Sequence, residues 1–407
     1  MLTSERAAPV PIVLLLVSFM AACGKDTVAP GGDVSVTPIL AGGAGDQTAT
    51  DVSGDGSAIY VSGPGVLAKF DPNAAAASWT QTQANVRYDG VAAGPGRAFV
   101  AGRAPAGRST GPGPCGATDD VGGIEEKIQA GVYDAFGAFL GCQSQVLYPY
   151  SGFEFYYAAA FSGNKFFAAG HAQQSGVADG FPFVLARYDA NGVFELGVTE
   201  PDLTFGTATG CCTGESLVLG LSEASGDLLA AGESRLPGSG EDDVVRPMVM
   251  RYTTDLVRIW KGRSPDRVGR FSHAAEIGGS VYAVGVTTGT GLFLIEKYDG
   301  TGSRVWSVES TTQGSLNGVV GLGGRVFGIG TTSAAPFGGS DGMVVEFDPS
   351  DGSILSTIYV GGAENDGAVG AVAIAGELWV AGTSRSHASG GNAMGEADLA
   401  LWRVTPN

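Results

Sequence analysis

The sequence predicts an all-β fold, a seven-bladed β-propeller built from four-stranded blades, and three observations carry that prediction. A strand signature closed by glycine recurs seven times along the chain. Glycine supplies 67 of the 407 residues while only 16% are charged, a balance that suits short strands joined by tight turns, where positive φ is needed. No window sustains apolar residues at i, i+3, i+4 and i+7, so amphipathic helices are not expected.

The signature reads "AIYVSG", "RAFVAG", "KFFAAG", "DLLAAG", "SVYAVG", "RVFGIG" and "ELWVAG", closing at Gly63, Gly102, Gly170, Gly232, Gly285, Gly330 and Gly382. A second strand follows each, ending in an aromatic and usually Asp: "LAKFD", "AGVYD", "VLARYD", "VMRYT", "LIEKYD", "VVEFD" and finally "LWRVT". Turns such as "DANG" and "DGTG" lead into a further strand, and one more precedes each glycine-closed strand. A four-stranded meander cannot bury both faces alone, so repeated units must stack. The seventh unit offers three strands before "RVTPN"; its fourth is expected from residues 34–43, "VSVTPILAGG". There Gly42, Gly43 and Asp46 fall in step with Gly361, Gly362 and Asp366. The ring is therefore expected to span residues 34–407 and to close on its N-terminal strand.

With Gly-Gly-x(2,3)-Asp, the "YVxGxT" strand and "[KR]-[YF]-D" on the page, the repeats resemble the seven-bladed β-propeller repeat family of bacterial extracytoplasmic proteins. Units five to seven match best; in unit four Tyr252 is followed by Thr253 instead of Asp. The resemblance implies the fold and no particular activity. At the N-terminus "PVPIVLLLVSFMAAC" has an apolar run too short to span a bilayer. Met20-Ala21-Ala22-Cys23 resembles the lipobox of bacterial lipoproteins. That implies a signal peptide over residues 1–22, lipidation of Cys23, a tether over residues 23–33 and an outer-membrane, extracytoplasmic address. The net charge of −18 argues against nucleic acid and against binding anionic lipid by surface charge. Membrane contact is expected through the lipid.

Antiparallel order puts the tight first–second and third–fourth turns on one side of the ring and the long, irregular loops on the other, where a site is expected. Three features mark that side. The aromatic run Tyr148, Tyr150 and Phe153, continuing through Phe155, Tyr156 and Tyr157, suits a sugar or protein contact or packs between blades. The basic set Lys261, Arg263, Arg267 and Arg270 suits an anion or is a solvated stretch balanced by Asp266. Cys115, Cys142, Cys211 and Cys212 suggest disulfides in an exported chain, either within each pair or crossed.

His171, His273 and His387 fall in separate units, so no pair has metal-ligand spacing, and most aspartates sit in turns. "DVSGDGSA" is a partial Ca²⁺-loop match only, and no cofactor is expected. The reading is a non-enzymatic binding or scaffolding module for an envelope protein or surface glycan. A glycan-active hydrolase with a carboxylate site at the channel mouth is the alternative. A quinoprotein-like dehydrogenase, suggested by Cys211-Cys212 and "DGTGSRVW", stands behind it.

Overall fold

The computed structural model describes residues 32–41, 47–74, 76–105, 126–145, 154–172, 183–199, 217–235, 245–335, 337–386 and 397–406, and these form strands and turns only. In chain order the strands are β1 (Gly32–Ala41), β2 (Asp51–Gly54), β3 (Ile59–Phe70), β4 (Ala77–Gly94), β5 (Arg97–Pro105), β6 (Glu126–Asp134) and β7 (Phe139–Gln145). There follow β8 (Glu154–Ser162), β9 (Lys165–Ala172), β10 (Phe183–Tyr188) and β11 (Phe194–Thr199), then β12 (Leu217–Ala224), β13 (Asp227–Arg235), β14 (Val245–Tyr252) and β15 (Arg258–Arg263). Next come β16 (Gly269–Ile277), β17 (Ser280–Thr287), β18 (Leu292–Tyr298) and β19 (Arg304–Gln313), and β20 (Ser315–Leu322), β21 (Arg325–Thr332), β22 (Asp341–Phe347) and β23 (Ile354–Val360). The last are β24 (Asp366–Ile374), β25 (Glu377–Ser384) and β26 (Asp398–Pro406).

Four sheets are simple meanders of consecutive strands: β8–β11, β12–β15, β16–β19 and β20–β23. A fifth has the order β1-β26-β25-β24, with β1 antiparallel to β26 from Gly32↔Pro406 to Ala41↔Leu399. β1 thus begins inside the stretch expected to be tether. The remaining sheet joins β2 to β7 because β4 serves two partners. Its first part pairs with β3 (Phe70↔Ala77 to Val66↔Thr82, then Pro64↔Arg87 after a register shift) and its second with β5 (Arg87↔Arg103 to Gly94↔Arg97).

Apolar clusters sit between successive sheets. Tyr252 and Met248 pack on Phe183 and Phe167, and Phe271 packs on Leu229 and Val249. Val345 meets Val284, and Trp402 meets Phe327. Within the six-stranded sheet, Tyr60 and Leu67 pack against Val100 and Tyr133 in the same manner. Middle strands are covered on both faces, which is why β22 reads as an unbroken buried run. Rim strands such as β23, with Ile354 and Leu355 exposed, keep one wet face, as antiparallel sheets allow. The innermost strands pack in the order β2, β4, β8, β12, β16, β20, β24, and β24 also contacts β2.

The closing glycines have a steric cause. A Cβ at Gly102 would lie 1.9 Å from the carbonyl oxygen of Arg87, and one at Gly285 would lie 1.9 Å from that of Arg270. Beside each contact the inner strand bulges. Tyr88 pairs with Gly102 and Gly90 with Ala101, leaving Asp89 extra; Phe271 pairs with Gly285 and His273 with Val284, leaving Ser272 extra.

The basic residue of the "[KR]-[YF]-D" strand also has a physical role. Lys69 donates to the Ala135 carbonyl (3.1 Å), Arg187 to Thr254 (2.9 Å) and Lys297 to Pro349 (2.8 Å), each in the turn of the following unit. The aspartate after it shapes its own turn. Asp299 Oδ1 accepts from the amides of Thr301 (2.8 Å) and Ser303 (3.0 Å), and Asp189 does the same for Asn191 and Val193.

Two glycine substitutions separate the two kinds of glycine. Gly285→Ala should lower stability by at least about 3 kcal/mol, because backbone must move. Gly278→Ala, at φ 59° with nothing within 4 Å of the added carbon, should cost only about 1–2 kcal/mol. Equal losses in thermal melting would remove the steric account of the repeat.

Candidate functional site

The bulges converge. Counting from β4 to β24, the extra residues are Asp89, Tyr157, Leu219, Ser272, Asn317 and Val369. All six, with Thr50 just before β2, line one cavity of about 440 Å³ at the start of the inner strands. A second cavity of about 580 Å³ opens toward the tight turns, lined by Ser53, Asp55, Ser162 and Glu223 among others. Asp51, Leu221 and His273 belong to both, so the two are halves of an axial channel with those residues at its waist.

Much of the polar wall is committed to neighbouring strands. Asp51 Oδ1 accepts from its neighbour Val52 N–H (2.8 Å) and Oδ2 from Val91 N–H (2.9 Å). His273 Nδ1 accepts from Val319 N–H (3.3 Å), Thr50 donates to the Tyr88 carbonyl (2.6 Å), and Asn317 donates to that of Ala368 (2.8 Å). Protein surrounds Asp51 and His273 except where they border the channel. Burial pushes the Asp51 carboxyl up to about 7, against two amide bonds that favour its charge. Burial alone holds His273 down to about 4. His171 is also lowered to about 4, by burial first and then by Arg103; its ring packs on Tyr157 at 5.3 Å.

Two guanidinium groups, Arg87 and Arg270, and two carboxylates, Asp51 and Asp89, line the cavity at the start of the inner strands. Asp89, 7% exposed, is paired with Arg87 and lies 3.7 Å from Arg103. Arg270 lines the same cavity and is exposed, and its side chain has no hydrogen bond or ion pair among the described residues.

The sequence-based candidates are distributed differently. Lys261 and Arg263 lie on the rim strand β15, with Arg263 lowered by burial and by Arg246. Arg267 binds Glu309 at 2.5 Å. Only Arg270 reaches the channel, so the basic set is strung from rim to axis instead of forming one patch. Tyr156 is wholly buried, its hydroxyl 2.9 Å from that of Tyr188, whereas Tyr157 lines the mouth; the bulge separates these sequence neighbours. Cys23, Cys115, Tyr148, Tyr150, Phe153, Cys211, Cys212 and His387 lie outside the described residues, as does the Cys142 side chain. The "DVSGDGSA" aspartates serve backbone amides, Asp55 Oδ1 accepting from Ser57 and Ala58 N–H. Among the described residues no group of three or more His, Cys, Asp or Glu could hold a metal ion. Asp89, Arg87 and Arg103 were missed by sequence reasoning; nothing but a bulge beside a repeat glycine marks them.

A chain from the crystal structure of a mitotic checkpoint complex matches with a TM-score of 0.56 at 11% identity, covering 99% of this chain and 98% of that one. The fold is a β-propeller. Its blades are four-stranded and antiparallel, and at that identity the likeness is one of fold alone. No family model and no curated protein matches the propeller's sequence.

The shifted groups act in opposite directions on propeller stability. Asp51, raised from 3.8 to about 7, gives stability that is full below 3.8 and lost as pH rises to about 7. His273, lowered from 6.5 to about 4, gives stability that is full above 6.5 and lost as pH falls to about 4. Asp51→Ala should therefore steepen the rise of the urea midpoint between pH 4 and 6.5, and His273→Asn, which keeps an acceptor for Val319, should flatten it. Each change is worth up to about 1.4 kcal/mol per pH unit. Parallel curves for all three proteins would contradict the assignment.

Proposed function

We propose that this chain is a lipid-anchored, extracytoplasmic propeller of seven blades. In this reading it is a non-enzymatic binding or scaffolding module that presents its irregular face to an envelope protein or surface glycan. One observation carries the reading. Chemically unlike side chains from every inner strand converge on a single open cavity, while Asp51 and His273 at its base are engaged by neighbouring backbone amides. Such a mouth is suited to contact more than to turnover.

The count of seven is supported by β4, whose two halves pair mainly with different strands and share partners only at Arg87, and by the Tyr60–Tyr133 core that stacks the halves of the six-stranded sheet. Ring closure is supported by the pairing of β1 with β26 and the packing of β24 on β2. The anchor rests on the Met20–Cys23 resemblance. Metabolic labelling with a fatty acid should mark the wild-type chain and leave Cys23→Ser unlabelled; a labelled variant would remove the anchor at that residue.

A second reading, a glycan hydrolase, has one observation behind it. Asp51, with a near-neutral pKa, and ion-paired Asp89 line the same cavity, and carboxylates in contrasting environments are the arrangement of glycosidases. Glycan arrays, co-purification and a panel of nitrophenyl glycosides on the full chain separate the two. Retention of a glycan or partner without turnover is expected. Turnover lost in Asp89→Asn would replace the binding reading with the hydrolytic one.

A further inference from the structure

We propose that the cavity at the start of the inner strands is a carboxylate-binding site, taking an acidic side chain or the terminal carboxylate of a peptide. The proposal rests on the binding reading above and names its ligand chemistry.

Arg270 is the first ground. In a chain of net charge −18, several arginines are held by acids: Arg251 by Asp227, Arg325 by Glu346, Arg304 by Asp266 and Glu296. Arg270 is exposed on the cavity wall with no such partner among the described residues. A guanidinium fork presents parallel donors that match a carboxylate in two-point contact.

Charge balance at the wall is the second ground. Arg87 pairs with Asp89 and keeps 48% of its side chain exposed, while Asp51, the other carboxylate of the wall, is engaged by the amides of Val52 and Val91. Arg270 is thus the cation of this cavity left without an acidic partner among the described residues, in a concave, partly desolvated space where the attraction for an incoming anion is strengthened. Asp89 remains in the wall as a fixed negative charge. It penalises a dianion more than a monoanion, which favours carboxylate over phosphate.

Shape is the third ground. A volume of about 440 Å³ admits one or two residues of a peptide. Leu219 and Val369 offer an apolar side for the methylenes of a Glu or Asp, and Tyr157 offers a ring face.

The experiment uses the full chain in mild detergent and a fluorescein-labelled triglutamate peptide with a free C-terminus. Comparison probes are the triglutamine amide and a phosphoserine peptide of equal length. Fluorescence anisotropy should show triglutamate binding at least tenfold tighter than the amide, weakening with salt. Arg270→Ala should lose at least tenfold, Arg270→Glu should bind no tighter than the amide probe, and Arg270→Lys should fall between wild type and Ala. Arg403→Ala, on β26 outside the cavity lining and in an ion pair with Glu377, should bind as wild type does. Unchanged melting of the Arg270 variants keeps the comparison free of misfolding. Equal binding of acid and amide, or retention of triglutamate by Arg270→Glu, overturns the site. Tighter binding of the phosphopeptide overturns the choice of carboxylate. If Arg270→Glu still retains a glycan or envelope partner, this site fails while the binding reading survives. If no partner of any kind is retained but triglutamate binding depends on Arg270, the binding reading fails and the site survives.

Discussion

The near-contact between a closing glycine and a carbonyl of the inner strand is the constraint on which this propeller depends. At Gly102, Gly285, Gly330 and Gly382 an added carbon would fall within 2.0 Å of that oxygen, so no side chain is tolerated there. The inner strand responds by bulging one residue further on. A bulge breaks the alternation of faces and sends one extra side chain out of the ladder. Repeated around the axis, this local accommodation builds the channel wall. The shape of the cavity follows from a backbone fit.

Buried polar groups are satisfied partly within their own blade and partly across the seam to the preceding one. Glu296, fully buried, accepts from Ser264 (2.7 Å), Arg304 (3.0 Å), Ser307 (2.9 Å) and Tyr298 (2.6 Å). Asp366 accepts from the amides of Gly362 and Arg385 and from the Ser386 hydroxyl. A buried carboxylate is costly unless so surrounded, and removing one partner strands the charge. These contacts specify how one blade sits on the next, and apolar area supplies the bulk of the adhesion.

The strand repeats, the turn aspartates and the all-β class were legible because each follows from local chemistry: glycine at a fixed interval, Asp ahead of a tight turn, apolar residues on doubly covered strands. The basic residue of the third strand was legible as a pattern, but its target, the carbonyl of the following unit's turn, belongs to packing. The channel wall was not legible. Its bulged positions hold Asp89, Tyr157, Leu219, Ser272, Asn317 and Val369, which share no chemistry, and register shifts leave no trace in hydropathy. Adjacent Tyr156 and Tyr157 read as one aromatic run and are parted by a single extra residue. The basic run from Lys261 to Arg270 read as a patch because sequence proximity conceals the radial distance from rim strand to axis.

One consequence concerns how such a molecule diversifies. The bulge is imposed by backbone and glycine, so it is indifferent to what the displaced residue carries. Tyrosine, leucine, aspartate and asparagine already occupy equivalent sockets in one chain. Exchanging them redraws the throat without disturbing the ladders that hold the blades, and the scaffold separates heritable change in recognition from the demands of folding.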